Sequence, residues 1–395
     1  MNNTKVLWIR VWGIAGLQGA ITLSWVVYNL YLPILLVQLG LDPKMAIAIL
    51  IVENALEAVI EPVFGNFSDR QQQRSGTRMP IITIGIILSS ALFLAFPSLV
   101  IFGNNNNFKS WLLPVLAVIW ASVMAIFRSP AMAILGRCAK SSQLPQAASI
   151  LTLVAGLVGA FRFDAYGIIL QLGVGFAFAI GSFSLLLAGA LLRWLNPAGV
   201  PEISRNQFEQ VSKLRLGTIF VTGFCVGWGT KFLIPTVNQI LTLELGENSK
   251  IAMTVFFIVL GLLAIPAGKI GTKLGNFLAM KSGCSIVVVT AALSAFVPNS
   301  TVKYIAIALL LCGYSLVLNG AIPYALSLAA PNYSGFGVGM YFGGLNAGVS
   351  LFIFIFDRLG GTNITIGAIG AILSFLLVAA CLLFGSKMLQ NKLVA

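Results

Sequence analysis

Histidine is absent from the 395 residues, and charge is scarce: Asp, Glu, Lys and Arg make up 9% of the chain, with 11 acidic residues in all. The lack of imidazole argues against His-containing zinc sites and Cys–His nucleophiles. The five cysteines, Cys138, Cys225, Cys284, Cys312 and Cys381, show no short pairing. They do not form a disulfide framework and are expected to pack as small apolar residues within helices. Soluble domains carry about 25% charged residues, so this composition calls for a bilayer as solvent.

Hydrophobic residues, in contrast, make up 58% of the chain, and its mean hydropathy is +0.96. Crossing a membrane takes about 20 apolar residues. Twelve such runs can be marked: 11–39, 44–67, 80–102, 111–137, 145–163, 167–195, 214–242, 248–270, 277–297, 301–330, 335–359 and 363–385. The first lacks a cleavage-site pattern and is expected to stay in the chain as a span. An even number of spans puts both termini on one side. Of the 24 basic residues, sixteen fall on that side and six on the other (Lys44, Lys109, Arg162, Lys250, Lys303 and Arg358), while Arg128 and Lys231 lie inside spans. By the positive-inside rule both termini are expected in the cytoplasm of a plasma (inner) membrane protein, and the +13 net charge is then a topology signal.

The longest polar connection, 196–213, divides the chain into a six-span unit at 1–195 and another at 214–395. The units echo one another. Gly65-x-x-x-Asp69-Arg70 follows the second span, and Gly268-x-x-x-Thr272-Lys273-x-Gly275 follows the eighth, as expected of a duplicated transporter. The fold class expected is therefore all-α, with twelve transmembrane helices in two pseudo-symmetric six-helix bundles. Glycines spaced as in Gly335 to Gly348 suit close helix packing in lipid. The run Asn104 to Asn107 is expected to be an external loop.

Charges inside spans are costly, about 2.5–3.5 kcal/mol at mid-bilayer on insertion scales, and mark function by default. The second span holds Glu53, Glu57 and Glu61. Their spacing puts all three on one helical face, as a ladder descending toward the cytoplasm. Ionised together they would repel, so at least one is expected to be protonated, cation-bound or paired with a base. By depth, Arg128 of the fourth span is placed to reach Glu57 or Glu61. Lys231 of the seventh is placed near Glu53, where a contact would join the halves and close the outer mouth. The alternative is a set of structural ion pairs that fix helix packing.

Across its length the chain resembles the major facilitator superfamily. The stretch Gly65-Asn-Phe-Ser68-Asp69-Arg70-x-x-x-Arg74-x-Gly76-x-Arg78-x-Pro80 is similar to the loop after the second helix in that superfamily. Its extended form is nearest to that of sucrose:proton symporters. The resemblance implies a gating role for Asp69, Arg70, Arg74 and Arg78, as a charge lock holding the inner gate; the outer gating role expected of Lys231 rests on its depth opposite Glu53. Glu57-Ala-Val-Ile-Glu61-Pro62 is similar to the second helix of melibiose carriers, among the glycoside–pentoside–hexuronide:cation symporters. There two acids four apart bind the coupling ion, and the resemblance carries that role to Glu57 and Glu61. Ile322-Pro323-Tyr324-Ala325 and Gly339-x-x-x-Gly343-x-x-Asn346 resemble the tenth and eleventh helices of these symporters.

Departures from the pattern refine these expectations. Arg128, before Pro130, stands where melibiose carriers have an acid. A fixed guanidinium replaces a metal cation electrostatically, which favours proton over sodium coupling through Glu53, Glu57, Glu61 and Arg128. The first helix has no acid, and Ser149 stands where a fifth-helix Arg would be expected. Neutral groups remain for a solute: Gln18, Tyr28, Asn29, Trp228, Asn238, Gln239, Asn319 and Asn346. Where fifth helices of drug:proton antiporters have a Gly-Pro pair, this chain has Gly156-x-x-Gly159-Ala160-Phe161.

The expected activity is secondary transport of a small solute, a sugar or glycoside among the candidates, by cation-coupled symport through alternating access. One alternative is a proton-coupled exporter of amphipathic compounds or lipids. Another is a non-transporting assembly factor or receptor of the same fold. An enzyme is not expected, for want of a nucleophile–base or metal constellation, and no Walker-type loop is present to use ATP. No resident cofactor or metal is called for. The expected partners are the small-molecule substrate and the lipid bilayer, without nucleic acid, and the chain is expected to act as a monomer.

Overall fold

The computed structural model describes residues 6–101, 111–163, 166–196 and 212–394. Within them there is no strand, and twelve long helices follow in order. The first six are α1 (Trp8–Gln38), α2 (Met45–Ser75), α3 (Met79–Ile101), α4 (Leu112–Ala133), α5 (Leu144–Gly159) and α6 (Gly173–Leu195). The second six are α7 (Lys213–Leu245), α8 (Ser249–Leu274), α9 (Asn276–Phe296), α10 (Ser300–Leu328), α11 (Ser334–Ile355) and α12 (Ile364–Val394). Ten stretches are long and apolar enough to cross a membrane, one of them the joined pair α7–α8. Only α2 falls outside that set, because it bears Glu53, Glu57 and Glu61. Such a set of helices makes the chain an integral membrane protein.

Polarity is inverted in α2. Its buried face is Ile49, Glu53, Glu57, Glu61, Gly65, Ser68, Asp69 and Gln72, while Val59, Val63 and Phe67 are more than half exposed. In water that helix would be inside out; in lipid it is the only arrangement that hides four acids.

Several boundaries differ from the sequence expectation. The stretch after Gly65, expected as a loop, is helical as far as Ser75, since Gln71, Gln72, Gln73 and Arg74 are good helix formers. Gly76, with φ of 74°, then caps the helix in the left-handed region. The sixth span begins as a separate short helix, Tyr166–Gln171, and breaks at Gly173, whose φ is 78°. The connection 196–213 falls outside the described residues except at its two ends, as does the Asn104 to Asn107 run.

The helix pairings repeat. Among the first six helices, α1 packs on α5 and α6, α2 on α4, and α3 on α4 and α6. Adding six to each number gives the pairs of the second set: α7 on α11 and α12, α8 on α10, and α9 on α10 and α12. The two sets meet chiefly through α2 with α11 and α5 with α8, which the same shift exchanges. Small residues permit both contacts. A Cβ on Gly156 would lie 2.7 Å from the Gly261 Cα, and one on Gly268 would lie 2.6 Å from the Ser149 Cβ. Ser149 is thus a packing residue of the α5–α8 contact, where an arginine would not fit. At the end of α7 opposite Lys213, Lys303 and Ser300 donate to Glu244 at 2.5 and 2.6 Å. Those two hydrogen bonds, Lys303 first, hold the Glu244 carboxyl below its usual range.

On the α2–α11 seam, Pro62 has no N–H to give the Ala58 carbonyl four residues back. Gly343 packs against that carbonyl, where an added Cβ would come within 2.7 Å of the Ala58 oxygen and 2.8 Å of the Pro62 Cγ. Gly343→Leu is therefore predicted to destabilise by at least the ~1–3 kcal/mol typical of overpacking. Gly217→Leu, where an added Cβ meets nothing within 4 Å, is the control. Thermal unfolding in detergent checks this; equal melting temperatures for the two variants would contradict the tight seam.

Candidate functional site

Four-residue spacing builds the site on two facing helices. On α2 it aligns Glu53, Glu57 and Glu61, all buried, and on α11 it aligns Phe342, Asn346 and Ser350. At one level the Tyr28 hydroxyl of α1 donates to Glu53 Oε1. Nearby, Ser350 Oγ donates to the Ile51 carbonyl at 2.9 Å. At the next, Asn346 Nδ2 donates to Glu57 Oε2 at 2.8 Å. The same oxygen lies 3.6 Å from Arg128 Nη2. Below it, Arg128 Nε sits 2.6 Å from Glu61 Oε1, and its guanidinium carbon lies 4.7 Å from the centre of the Phe342 ring.

Arg128 thus meets both carboxylates within its reach and stacks on a ring from the other half. One guanidinium balances one of three buried carboxyl groups. Glu53 Oε2, Glu57 Oε1 and Glu61 Oε2 are buried without a hydrogen-bond partner among the described residues. The ladder is therefore short of positive charge and of donors, a composition that accepts a proton or a cation. Tyr28 is held from behind by Trp25, Trp120 and Phe96, with ring centres 4.7–5.6 Å apart, so the hydroxyl on Glu53 is rigidly aimed.

Lys231 corrects one expectation. It does not reach Glu53; its ammonium lies 3.5 Å from Asp357 Oδ2 and over the Phe352 ring at 5.7 Å. Both partners belong to the second half, so this pair does not bridge the halves. Depth along the bilayer had matched Lys231 to Glu53, but α7 packs on α11 and α12, which turns the lysine away.

A second cross-half contact lies at the other end of α2. The buried Asp69 accepts the backbone amides of Gly335, at 2.9 Å, and Phe336, at 2.7 Å, in the first turn of α11. A carboxylate there is favoured both by the free N–H groups and by the helix dipole. Arg78 pairs with the same carboxylate and donates to Ser334 Oγ at 2.8 Å, and Gln73 donates to the Asn332 carbonyl at 3.2 Å. Of the arginines expected around Asp69, only Arg78 engages it. Arg70 and Arg74 are exposed and make no ion pair among the described residues.

The neutral candidates separate. Tyr28 and Asn346 join the ladder, and Gln18 is half-buried with an unpartnered Oε1. Trp228 lies in an aromatic group with Phe224, Phe232, Phe352 and Phe356. Asn29 is exposed with its amide turned back onto the Trp25 carbonyl. Asn319 donates to the Ala264 carbonyl at 2.6 Å and ties α10 to α8. Asn238 is half-buried and Gln239 donates to the Thr362 carbonyl at 2.6 Å. None of these last four is brought to the ladder. Phe342, Ser334 and Asp357 were missed by sequence reasoning. The spacing Phe342, Asn346, Ser350, matching that of the glutamates, was the available signal for the first.

Removing Arg128 leaves Glu57 and Glu61 buried without a counter-charge, which typically costs about 3–5 kcal/mol. Arg128→Met is predicted to lower the unfolding temperature accordingly, and adding Glu61→Gln to recover part of the loss. A wild-type melting curve for Arg128→Met would show that the pair does not hold the helices.

The sequence profile of the Major Facilitator Superfamily matches residues 14–353. A search of curated proteins finds no match to the chain. Among solved structures, a bacterial homologue of the iron transporter ferroportin, in its outward-facing state, superposes with a TM-score of 0.73 at 14% identity, covering 96% of this chain and 99% of that one. The human organic anion transporter MFSD10 gives 0.64 at 14% identity, over 95% and 98%. The E. coli fucose:proton symporter FucP gives 0.64 at 14% identity, over 95% and 99%. At such identities the likeness is one of fold. Together with the profile match along most of its length, it makes this chain a member of the major facilitator superfamily of membrane transporters.

Proposed function

We propose that the protein is a secondary active transporter that moves a small solute by proton-coupled symport, through alternating access of its two helical sets. The observation that carries this reading is the position of Glu57: a buried carboxyl on α2 that shares one oxygen between Arg128 of its own half and Asn346 of the other. A proton on Glu57 weakens its hold on Arg128 and changes what Asn346 faces, so charge and the α2–α11 contact are linked. The net deficit of positive charge in the ladder supports a coupling role, and Arg128 in place of a metal cation supports the proton. A symporter of sugar-like solutes is the nearer relation by motif, and one structural neighbour is a fucose:proton symporter by name.

Orientation follows from charge. With the Arg70, Arg74, Arg78 end in the cytoplasm, both termini are cytoplasmic, and Asp69 on the first turn of α11 closes the inner side. Opening inward then requires breaking the Asp69 contacts, and opening outward requires parting Ser350 and Asn346 from α2.

The test is uptake into proteoliposomes with pyranine inside, using a solute identified by a thermal-shift screen of sugars, amino acids, nucleosides and lipids with and without sodium. Addition of that solute is expected to acidify wild-type vesicles. Glu57→Gln is expected to lose accumulation driven by a pH gradient while keeping solute counterflow. Full gradient-driven accumulation by Glu57→Gln would remove the coupling assignment. Solute efflux driven by inward proton flow would replace symport by export.

A further inference from the structure

Beside the Asp69 contact lies a polar cavity of about 420 Å³ that the transport reading leaves unused. Its wall comes from three helix ends: Asn66, Arg70 and Gln73 of α2, Lys213 at the start of α7, and Tyr333 and Phe336 at the start of α11. Among the described residues the one carboxylate in the wall is Asp69, whose oxygens are already taken by Arg78 and the amides of Gly335 and Phe336. Arg70 and Lys213 are exposed to the cavity side and make no ion pair among the described residues. One belongs to each half of the molecule.

Two unneutralised cations facing one cavity repel each other and oppose the closing of this end, whereas an anion between them reverses the sign of that interaction. The remaining wall groups are the Asn66 and Gln73 side-chain amides and the Tyr333 phenol, which can donate hydrogen bonds. Two cations with further donors, and no free carboxylate among the described residues of the wall, match a tetrahedral oxyanion with several acceptor oxygens. We propose that this cavity binds a phosphate group, and that the bound phosphate clamps α2 to α7 and steadies the adjoining Asp69–α11 closure. The phosphate is supplied either by the headgroup of an anionic lipid in the adjoining leaflet or by a free phosphate in the aqueous phase. The inference stands on the cavity and its charges and does not depend on the coupling role of Glu57.

Hydrogen exchange reads the clamp directly, because the Gly335 and Phe336 amides are the groups that Asp69 holds. Full-length protein is reconstituted in nanodiscs of phosphatidylcholine, with inorganic phosphate or chloride at matched ionic strength. A second arm uses nanodiscs of equal parts phosphatidylcholine and phosphatidylglycerol without phosphate. A ligand at ten times its Kd that binds only the closed form slows exchange through opening about tenfold. That slowing is expected at Gly335 and Phe336 in at least one arm, and is expected to vanish in Arg70→Gln/Lys213→Gln with thermal stability unchanged. Slowing by phosphate alone assigns a free anion, and slowing by phosphatidylglycerol alone assigns a lipid headgroup. The proposal is overturned if neither arm slows exchange, or if the double variant slows as much as the wild type.

Discussion

Packing α2 against α11 hides Glu53, Glu57, Glu61 and Asp69 on one side of a single helix and leaves Val59, Val63 and Phe67 to the lipid. A lipid-facing surface would not accept four acids, so the partner helix has to come close and bring polar groups with it. It does both. Gly335, Gly339 and Gly343 let the two backbones approach, and Asn346, Ser350 and the amides of the first α11 turn supply the donors. The two halves of the molecule are joined largely as a consequence of finding cover for one acidic face.

The same helix pair therefore carries two chemically different contacts. At the basic end a carboxylate caps a helix N-terminus and is clamped by Arg78, an arrangement whose donors are fixed in the backbone. Further along, the glutamates rely on one arginine, a phenol and an amide, and Glu53 Oε2, Glu57 Oε1 and Glu61 Oε2 are left without donors among the described residues. In the first, both carboxylate oxygens of Asp69 have donors, which suits a closure; the second is short of partners and suits exchange of a charge. Because α2 is a continuous helix from Met45 to Ser75, a tilt that disturbs one contact moves the other.

The α5–α8 contact, related to α2–α11 by the internal repeat, shows what the interface looks like without ionisable groups. There Gly156 meets Gly261, Gly268 meets Ser149 and Gly271 meets Pro145, a seam of small residues held by close packing. The asymmetry explains why a duplicated architecture has its buried charges concentrated on one seam. It also gives Ser149 a steric role at the position where the family pattern would place an arginine.

Much of this was legible in the chain itself. Composition and run length dictated a bundle of about twelve apolar helices, and the four-residue spacing of three glutamates placed them on one face, because helical periodicity is a local property. The pairing of Arg128 with Glu57 or Glu61 also followed, since depth along the bilayer is set by residue count. Depth alone could not choose between neighbours at the same level. It left Lys231 beside Glu53, whereas the packing of α7 on α11 gives it Asp357. Likewise no local signal showed that Arg78, and neither Arg70 nor Arg74, would reach Asp69, or that Phe342 would cover Arg128. Sequence determines what cannot face lipid and how far down each group lies; only the tertiary structure decides which helix turns to meet it, because that depends on the rotation and closeness of helices far apart in the chain.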